Sequence, residues 1–408
     1  MHFGQALQRV ERQGQRLTVV HTTGGRGWAA PVFIDASYEG DLLAAAGVRY
    51  TVGREGREQY GESLAGRQEF LPGRHQFTAP VSPYDAAGRL LPYIVPYDQL
   101  APVGAGDGKF QSYCYRVCLT HDPDNRLPIP PPDGYDPARF ALAARYLEAG
   151  GPSLRLRDFL GLCRLPNGKL DVNSTGPVST NLLGAAWDYP EASPQRRQAI
   201  AAEHLTWAQG LLYFLQNDAA VPAHIRDELA PWGLPRDEFT TTGHWPHQLY
   251  VREGRRMLGE YVLTQADLQT QRAKPDSVGM GGYNIDIREV QWVARTVYRY
   301  PRAAEEVLME GYITQPVEPY AIPYRALLPR AAECANLLVT ACLSASTVAY
   351  GSARMEPQYM LLGHSAGTAA ALAPGGLVHT VDMARLQAAL REEGQVLEVS
   401  EVEVTAGA

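Results

Sequence analysis

The first part of the chain carries short runs of apolar residues separated by glycine and polar residues. Residues 3–34 contain several such runs, and the last of them, Ala30–Ile34, ends at Asp35. Short apolar runs bounded by Gly and Pro favour β-strands over helices. The apolar segment Leu42–Ala46 follows, with Asp41 at its start, where the helix dipole favours a negative charge. The pattern therefore predicts β-structure over 3–34 and then a turn into a short helix.

The middle of the chain shows the wider apolar spacing that is typical of helices. Asp136-Pro137 and Ser193-Pro194 each combine an N-cap residue with proline at the first helical position. These two signals predict helices that run to Ala149 and to Gln216. Arg252–Val262 is a third predicted helix.

The last third of the chain returns to alternating strand and helix patterns. Asn336–Thr340 predicts a buried strand, and Met355–Leu372 predicts a helix rich in small residues. A last amphipathic helix is predicted over Asp382–Glu393.

Strands thus flank a mostly helical middle region, which is the order expected when one domain is inserted into another. The 408 residues are long enough for two domains. We predict an α/β fold in which 1–66 and 316–408 form a sheet domain. Residues 67–315 are predicted to form a largely helical insert that covers the ligand.

The composition indicates a sizeable buried core and excludes polyanionic partners. Hydrophobic residues make up 45% of the chain and charged residues 20%. A net charge of −7 argues against a nucleic-acid partner, because phosphate binding needs a concentrated positive face. No stretch approaches the roughly 18 apolar residues that a membrane span needs. Met1–Arg16 carries no apolar leader, so the sequence predicts a cytoplasmic protein without a membrane partner.

Five cysteines are scattered along the chain, and only Cys114 and Cys118 are close in sequence. A lone C-x3-C pair is a poor metal signature. We therefore expect reduced, mostly buried thiols and no metal site.

Two strand ends carry small and polar residues where open α/β sheets bind their ligands. The first is the Asp35–Asp41 segment, and the second is the Ser344–Arg354 segment, which is followed by Gly363 on the next helix. Small residues allow a ligand to approach the backbone. The alternative for each segment is an ordinary corner whose small residues serve packing alone.

Four segments in series resemble a large family of FAD-dependent oxidoreductases, grouped with the heterodisulfide-reductase-A-like flavoproteins. They are Phe33–Gly66, Gly243–Leu268, Asp276–Ile287 and Ile322–Ala373. The resemblance covers nearly the whole chain.

The resemblance implies a glutathione-reductase-like FAD-binding domain, with FAD as the cofactor. In that fold a first βαβ unit carries GxGxxG and holds the pyrophosphate with helix N–H groups. This sequence has no GxGxxG after a strand, and the glycines of 104–108 and 279–282 stand in the wrong context. The implied FAD-binding domain is therefore partial. A misplaced start codon, a second chain that supplies the missing N-terminal segment, or degeneration would each explain the gap.

By resemblance, the cofactor-binding residues lie in the two strand-end segments. They are Asp35, Ala36, Ser37, Glu39, Gly40, Asp41, Ser344, Ala345, Ser346, Gly351, Arg354 and Gly363. An iron–sulfur cluster is not expected, because it needs four clustered thiolates.

The resemblance also suggests catalytic residues near the flavin: His364, His244 and Arg354. Histidine is the natural proton-transfer group at neutral pH, and an arginine could stabilise negative charge on the reduced cofactor. Members of the family commonly carry His where this sequence has Arg288 and Thr347. This departure puts ordinary catalysis in doubt unless His364 or His244 substitutes.

The expected substrate is a small molecule held by polar side chains of the insert and its neighbours: Arg116, Arg252, Arg255, Tyr283, Asp286, Tyr324 and Arg325. Arg252, Arg255 and Arg256 stand at i, i+3 and i+4, so on a helix they share one face. Such a face is either a solvated basic surface or a contact for an anionic substrate or a cofactor phosphate.

Three functional hypotheses follow from these patterns. The first is an FAD-dependent oxidoreductase of a small polar or sugar-like substrate, inactive alone unless its missing segment is supplied. The second is a non-catalytic remnant or binding module that no longer holds FAD. The third is a flavoprotein subunit that passes electrons to partner chains.

Overall fold

Short strands and longer helices alternate along the chain, and the computed structural model describes residues 1–270 and 272–401. The last residues of the predicted C-terminal segment, 402–408, lie outside this range. The strands of the described residues are β1 (Leu7–Gln13), β2 (Arg16–Thr22), β3 (Gly27–Ala29), β4 (Phe33–Asp35), β5 (Tyr50–Thr51), β6 (Ile94–Pro96), β7 (Val117–Thr120), β8 (Arg126–Leu127), β9 (Leu160–Leu165), β10 (Lys169–Ser174), β11 (Leu234–Pro235), β12 (Arg256–Met257), β13 (Ser277–Gly281), β14 (Ile285–Ile287), β15 (Gln291–Arg299), β16 (Arg302–Glu310), β17 (Ile313–Gln315), β18 (Tyr320–Pro323) and β19 (Leu337–Val339).

The same residues form nine α-helices. They are α1 (Asp41–Ala45), α2 (Arg57–Tyr60), α3 (Ala141–Gly150), α4 (Pro194–Asn217), α5 (Ala223–Leu229), α6 (Gln265–Gln269), α7 (Thr347–Ala353), α8 (Glu356–Leu372) and α9 (Met383–Glu392). The Ser193 hydroxyl accepts a hydrogen bond from the Arg196 backbone N–H, and Asp382 caps α9 in the same way. The helix predicted from the Ser193-Pro194 signal and the last predicted helix are both confirmed.

The N-terminal β-structure is an antiparallel meander of β1, β2 and β3, as predicted for residues 3–34. The chain then enters β4, which pairs in parallel with β19 in the register Phe33 to Leu337 and Asp35 to Val339. The buried Asn336 side chain joins the two units, because it binds both the N–H and the C=O of Leu17 in β2. Two segments that are distant in sequence thus form one small parallel sheet.

Three apolar cores stabilise the fold. The largest is built from residues between 77 and 309 and includes the buried, facing rings of Trp207 and Trp292. A second core joins residues of 263–328 to α7, α8 and α9. A third packs α1 and the meander against β19. Residues 263–313 contribute to both larger cores, so the insert and the C-terminal region are packed on each other.

The structure corrects two predictions for the middle of the chain. Arg252–Val262 is not a helix: its backbone bonds outward, from Met257 N to Cys342 O and from Leu258 N to Arg49 O. Long-range pairing of β12 with β5 overrides the local helical pattern here. The region 67–315 is also mixed rather than largely helical, since the two longest strands of the described residues, β15 and β16, lie in it.

Among the described residues, no helix combines the length and the apolar character needed to cross a bilayer. Within the same residues, no group of three or more His, Cys, Asp and Glu side chains is arranged to hold a metal ion.

Candidate functional site

The carboxyl end of β4 leads into a corner whose polar groups bind one another. The Asp35 carboxylate accepts hydrogen bonds from Ser37 N (3.0 Å), Ser37 Oγ (2.6 Å) and Leu43 N (2.8 Å). It therefore fixes the turn into α1 and the first turn of that helix. Ala36 is exposed beside it. The predicted cofactor contacts Asp35 and Ser37 thus have a defined structural role in this corner.

The next residues of this segment tie α1 to the insert. Asp41 accepts two hydrogen bonds from Arg197 (2.7 and 2.9 Å) and one from Arg255 (2.7 Å). Burial alone would raise the pKa of Asp41, but these two guanidinium groups hold it below its usual value. Glu39 accepts a hydrogen bond from Tyr189 Oη (3.0 Å). Arg255, predicted to bind substrate, is therefore paired with the start of α1.

Gly40 and Gly351 lie so close to neighbouring side chains that a Cβ atom at either position would be crowded. Gly40 has a φ of +64°, and a Cβ there would lie 3.0 Å from Cys342 Sγ. A Cβ at Gly351 would lie 2.9 Å from Ile287 Cγ1. The latter contact lets α7 pack directly on β14, so both glycines serve backbone packing in the described structure.

The loop between β19 and α7 is fully buried, and its polar groups are satisfied. Ser344 Oγ accepts a hydrogen bond from Gly259 N (3.0 Å), and the Ala345 carbonyl accepts one from Arg256 Nε (3.2 Å). Ser346 caps α7 and donates to Glu62 (2.6 Å). This loop is held rigidly by the segments beneath it.

Beneath that loop lies a buried ionic cluster that the sequence pattern did not predict. The fully buried Arg256 guanidinium is bonded to Glu55 and to Glu253, and it also donates to Gly53 O (2.8 Å). Both carboxylates in turn hold Thr347, through its N–H (2.9 Å) and its hydroxyl (2.9 Å). The available signal was the triplet Arg-Glu-Gly, which occurs at 54–56 and again at 252–254.

A small polar cavity brings together five of the predicted site residues: Arg116, Arg252, Tyr283, Asp286 and Arg354. Arg288, Asn173, Tyr250 and Met355 complete its lining. The cavity lies between β10, β14 and the junction of α7 with α8. We refer to it as the arginine cavity. Its volume is about 30 Å³, and a single water molecule needs roughly 10–15 Å³.

The arginine cavity carries more positive than negative charge. Asp286 lies 3.7 Å from Arg288 Nε and 3.6 Å from Arg354 Nη2. Arg116 forms a two-point ion pair with Asp171. The lining thus holds four guanidinium groups and one carboxylate, Asp286, while Asp171, Glu289 and Glu356 pair with or lie near residues of that lining.

Arg252 is the most unusual of these groups, since it is buried without a carboxylate partner among the described residues. Its guanidinium donates to Ser112 O and to Asn181 Oδ1 (3.0 Å), and it contacts Cys114 Sγ (3.1 Å). Burial, with the neighbouring charges of Arg288 and Arg354, lowers the pKa of Arg252. A guanidinium in such surroundings is stabilised by any anion that reaches it.

A chain of hydrogen bonds leads from Arg252 to His75, a histidine that the sequence pattern did not single out. Asn181 donates to Glu289 (3.1 Å), and Glu289 is bonded to His75 Nδ1. The His75 ring stacks on Tyr312 at 4.5 Å. Burial would raise the pKa of Glu289, but His75 and the charge of Arg288 hold it below its usual value. No local pattern connects these residues, because they meet only through the fold.

The predicted catalytic histidines lie outside the lining of the arginine cavity. His364 is exposed on α8, bonded to Gln395 (2.7 Å) and Glu393. His244 has a φ of +70° and is bonded to the Glu238 carbonyl (3.1 Å). Of the three predicted catalytic residues, Arg354 alone lines the cavity.

The remaining predicted residues also have partners elsewhere. Tyr324 is buried and donates to Val378 O (2.9 Å), and Arg325 pairs with Asp276 (2.9 Å). Gly363 faces open space on α8. None of the three lines the arginine cavity.

A model of the FAD-dependent oxidoreductase family matches residues 1–390. The chain belongs to this family. Searches of curated proteins and of solved structures each found no significant match.

The described residues fit the ring end of a flavin at the start of α8. No side chain caps the first turn of α8, and two buried polar atoms there lack a hydrogen-bond partner among the described residues: Arg354 Nε and Gln358 Oε1. One is a donor and the other an acceptor, and the polar edge of a flavin ring carries both kinds of group. This unused hydrogen-bonding capacity lies beside the arginine cavity, because Arg354 lines that cavity.

The two glycine-rich segments do not fit the pyrophosphate of FAD. Residues 279–281 lie within β13, and Gly104 N is bonded to Arg67 O (2.8 Å) in a loop. A phosphate loop needs free N–H groups between a strand and a helix. Neither segment offers that arrangement.

Proposed function

We propose that this chain forms the substrate-binding part of an FAD-dependent oxidoreductase. The enzyme acts on a small polar molecule that the arginine cavity holds. The observation that carries this proposal is the position of Arg354. It lines the cavity, it precedes the first turn of α8, and its buried Nε has no hydrogen-bond partner within residues 1–270 and 272–401. When bound, the flavin supplies the redox chemistry.

The chain's own residues bind and orient the substrate in this proposal. Arg252 and Arg288 hold the polar end of the molecule, and Arg354 lies between substrate and cofactor. The buried cluster of Arg256, Glu55 and Glu253 keeps the start of α7 in place. His75 takes the place of His244 and His364 as the histidine connected to the cavity, through Glu289 and Asn181.

We further propose that a strand and helix from outside these 408 residues complete the FAD site and hold the pyrophosphate. Two exposed apolar features support this. Among the described residues β4 pairs with β19 alone, and its central residue Ile34 is 37% exposed. Met360 on α8, which packs near β4, is 72% exposed. Unpaired strand edges and exposed apolar side chains are typical of surfaces that bind a partner.

The remnant hypothesis remains the second candidate, and the satisfied loop between β19 and α7 favours it. Ser344 and Ser346, predicted to face a flavin, already have protein partners. In a remnant, the buried loop would serve stability alone.

The flavin proposal predicts that the purified chain binds FMN and FAD with similar affinity. The described residues hold the ring end, which the two flavins share, while the pyrophosphate has no cradle here. Quenching of flavin fluorescence in a titration measures both dissociation constants. We expect Arg354→Met to weaken both by about tenfold or more, as expected for loss of a charged hydrogen bond.

The matched control is Arg196→Met, which removes an arginine that is half exposed and paired with Asp188. It should leave both affinities unchanged. Absence of quenching by either flavin would refute the flavin proposal. FAD binding far tighter than FMN binding would instead show that these residues already hold the pyrophosphate.

A further inference from the structure

The arginine cavity has the charge and the size of a site for a single carboxylate group. Arg252 is 3% exposed and Arg354 is 4% exposed, so both guanidinium groups are held away from bulk water. Arg288 joins them, and its nearest carboxylate, Asp286, is shared with Arg354 at 3.6–3.7 Å. Such distances leave donor positions on both groups for another acceptor.

The other acidic groups near the cavity are engaged elsewhere. Glu289 is bonded to His75 and Asn181, and Glu356 faces the Tyr250 hydroxyl. Asp171 is paired with Arg116 by two hydrogen bonds. Among the described residues, Arg252 therefore has no carboxylate partner, and Arg288 has only the shared Asp286 at 3.7 Å.

The walls of the cavity restrict what can enter it. Two guanidinium groups lie close to the Tyr250 ring, with Arg116 Cζ at 5.5 Å and Arg252 Cζ at 5.3 Å from its centre. Tyr283, at the other side, is partly exposed, so the cavity is open to solvent there. A volume of about 30 Å³ admits one small planar group and leaves the rest of a ligand outside.

We propose that the arginine cavity binds the carboxylate of a small organic acid, which is the substrate class of this enzyme. Arginine binds carboxylates with two parallel N–H donors, and buried arginine without a carboxylate partner is costly until an anion arrives. The role of this acid as substrate rests on the function proposed above, whereas its binding in the cavity does not depend on that function. A neutral sugar would leave Arg252 without a counter-charge.

Binding of fluoroacetate tests this proposal without any flavin, since ¹⁹F NMR detects weak binding through line broadening. Fluoroacetamide is the matched neutral probe, with nearly the same shape. We expect the chain to broaden the fluoroacetate resonance and to leave the fluoroacetamide resonance sharp. Unlabelled acetate should reverse the broadening.

Two variants locate the site. Arg288→Gln removes a guanidinium whose side chain binds only the shared Asp286 in the described structure, so the fold should persist. It should weaken fluoroacetate binding by about tenfold, and Arg252→Met should do so at least as strongly. The control Arg196→Met should bind like the unaltered protein.

Equal broadening of the two probes, or unchanged binding in both variants, would overturn the proposal. Displacement of fluoroacetate by inorganic phosphate at lower concentration than by acetate would also overturn it, in favour of a cofactor phosphate. Flavin binding without fluoroacetate binding would support the flavin proposal and refute the carboxylate site. Fluoroacetate binding without flavin binding would support the carboxylate site and refute the flavin proposal.

Discussion

Substitution of Arg256 by methionine should lower the free energy of unfolding by about 3–5 kcal/mol. Arg256 is 0% exposed, and its guanidinium is the cation between Glu55 and Glu253. Removing it leaves two buried carboxylates close together without a counter-charge. The same change removes the donors to Gly53 O and Ala345 O. Urea denaturation followed by circular dichroism measures the effect.

Arg196→Met is the matched control, because Arg196 and Asp188 form an exposed pair. Exposed ion pairs contribute about 0–1 kcal/mol. Arg256→Lys should fall between the two, since lysine keeps the charge and loses the fork-shaped set of donors. A loss below about 1 kcal/mol in Arg256→Met would show that the cluster does not support the loop above it.

Lowering the pH from about 7 to about 4 should remove about 3 kcal/mol of stability through His204 alone. His204 is fully buried in α4, donates from its ring to Ile200 O, and has no partner for Nε2 among the described residues. Burial lowers the pKa of His204 to about 4. An unfolded chain takes up this proton near pH 6.5. Between these two values the unfolded state binds more protons, so stability falls as the pH falls.

The pH dependence of stability in His204→Leu isolates this contribution from the carboxylates, which also titrate in acid. The difference in free energy of unfolding between the unaltered protein and His204→Leu should change across the range from pH 6.5 to 4. His2→Gln, at an exposed histidine, should run parallel to the unaltered protein. Parallel curves for His204→Leu as well would contradict the buried, neutral state of His204.

The helix starts at Ser193 and Asp382 were predictable because capping is local. In each case the side chain, the N–H that it caps and the proline or apolar run that follows lie within a few residues. The strand at 337–339 was predictable for a similar reason, since a short apolar run between polar residues marks a buried strand. Its pairing with β4 was not predicted, because the two strands lie far apart in sequence and no local pattern connects them.

The helix predicted over Arg252–Val262 fails because local spacing does not report long-range bonds. On a helix, the i, i+3, i+4 spacing would place the three arginines on one face. The observed backbone is not helical, and the three side chains lie in three different sites. Arg252 enters the cavity, Arg255 binds Asp41, and Arg256 enters the buried cluster. Tertiary contacts routinely override helix propensity in this way.

Five residues of the arginine cavity were predicted as site residues, but the sequence did not predict that they form one cavity. Its members come from β10, β14, the α7–α8 junction and four connecting segments, so no sequence window contains them. One signal for the cavity did exist, because this sequence has Arg288 where members of the family that it resembles commonly carry histidine. In the structure Arg288 adds a guanidinium to the lining of the cavity, and His75 is connected to that lining only through Glu289 and Asn181.

In the function proposed above, the arginine cavity and the flavin site share Arg354, and the visible absorption of bound FAD tests that proposal most directly. Acetate titrated into FAD-loaded protein should shift the flavin spectrum in a saturable way, and acetamide should leave it unchanged. Arg354→Met should abolish the shift. If acetate does not change the flavin spectrum of protein that binds fluoroacetate, the cavity and the flavin do not share a site. If the protein stays colourless after treatment with FAD, it does not bind the flavin.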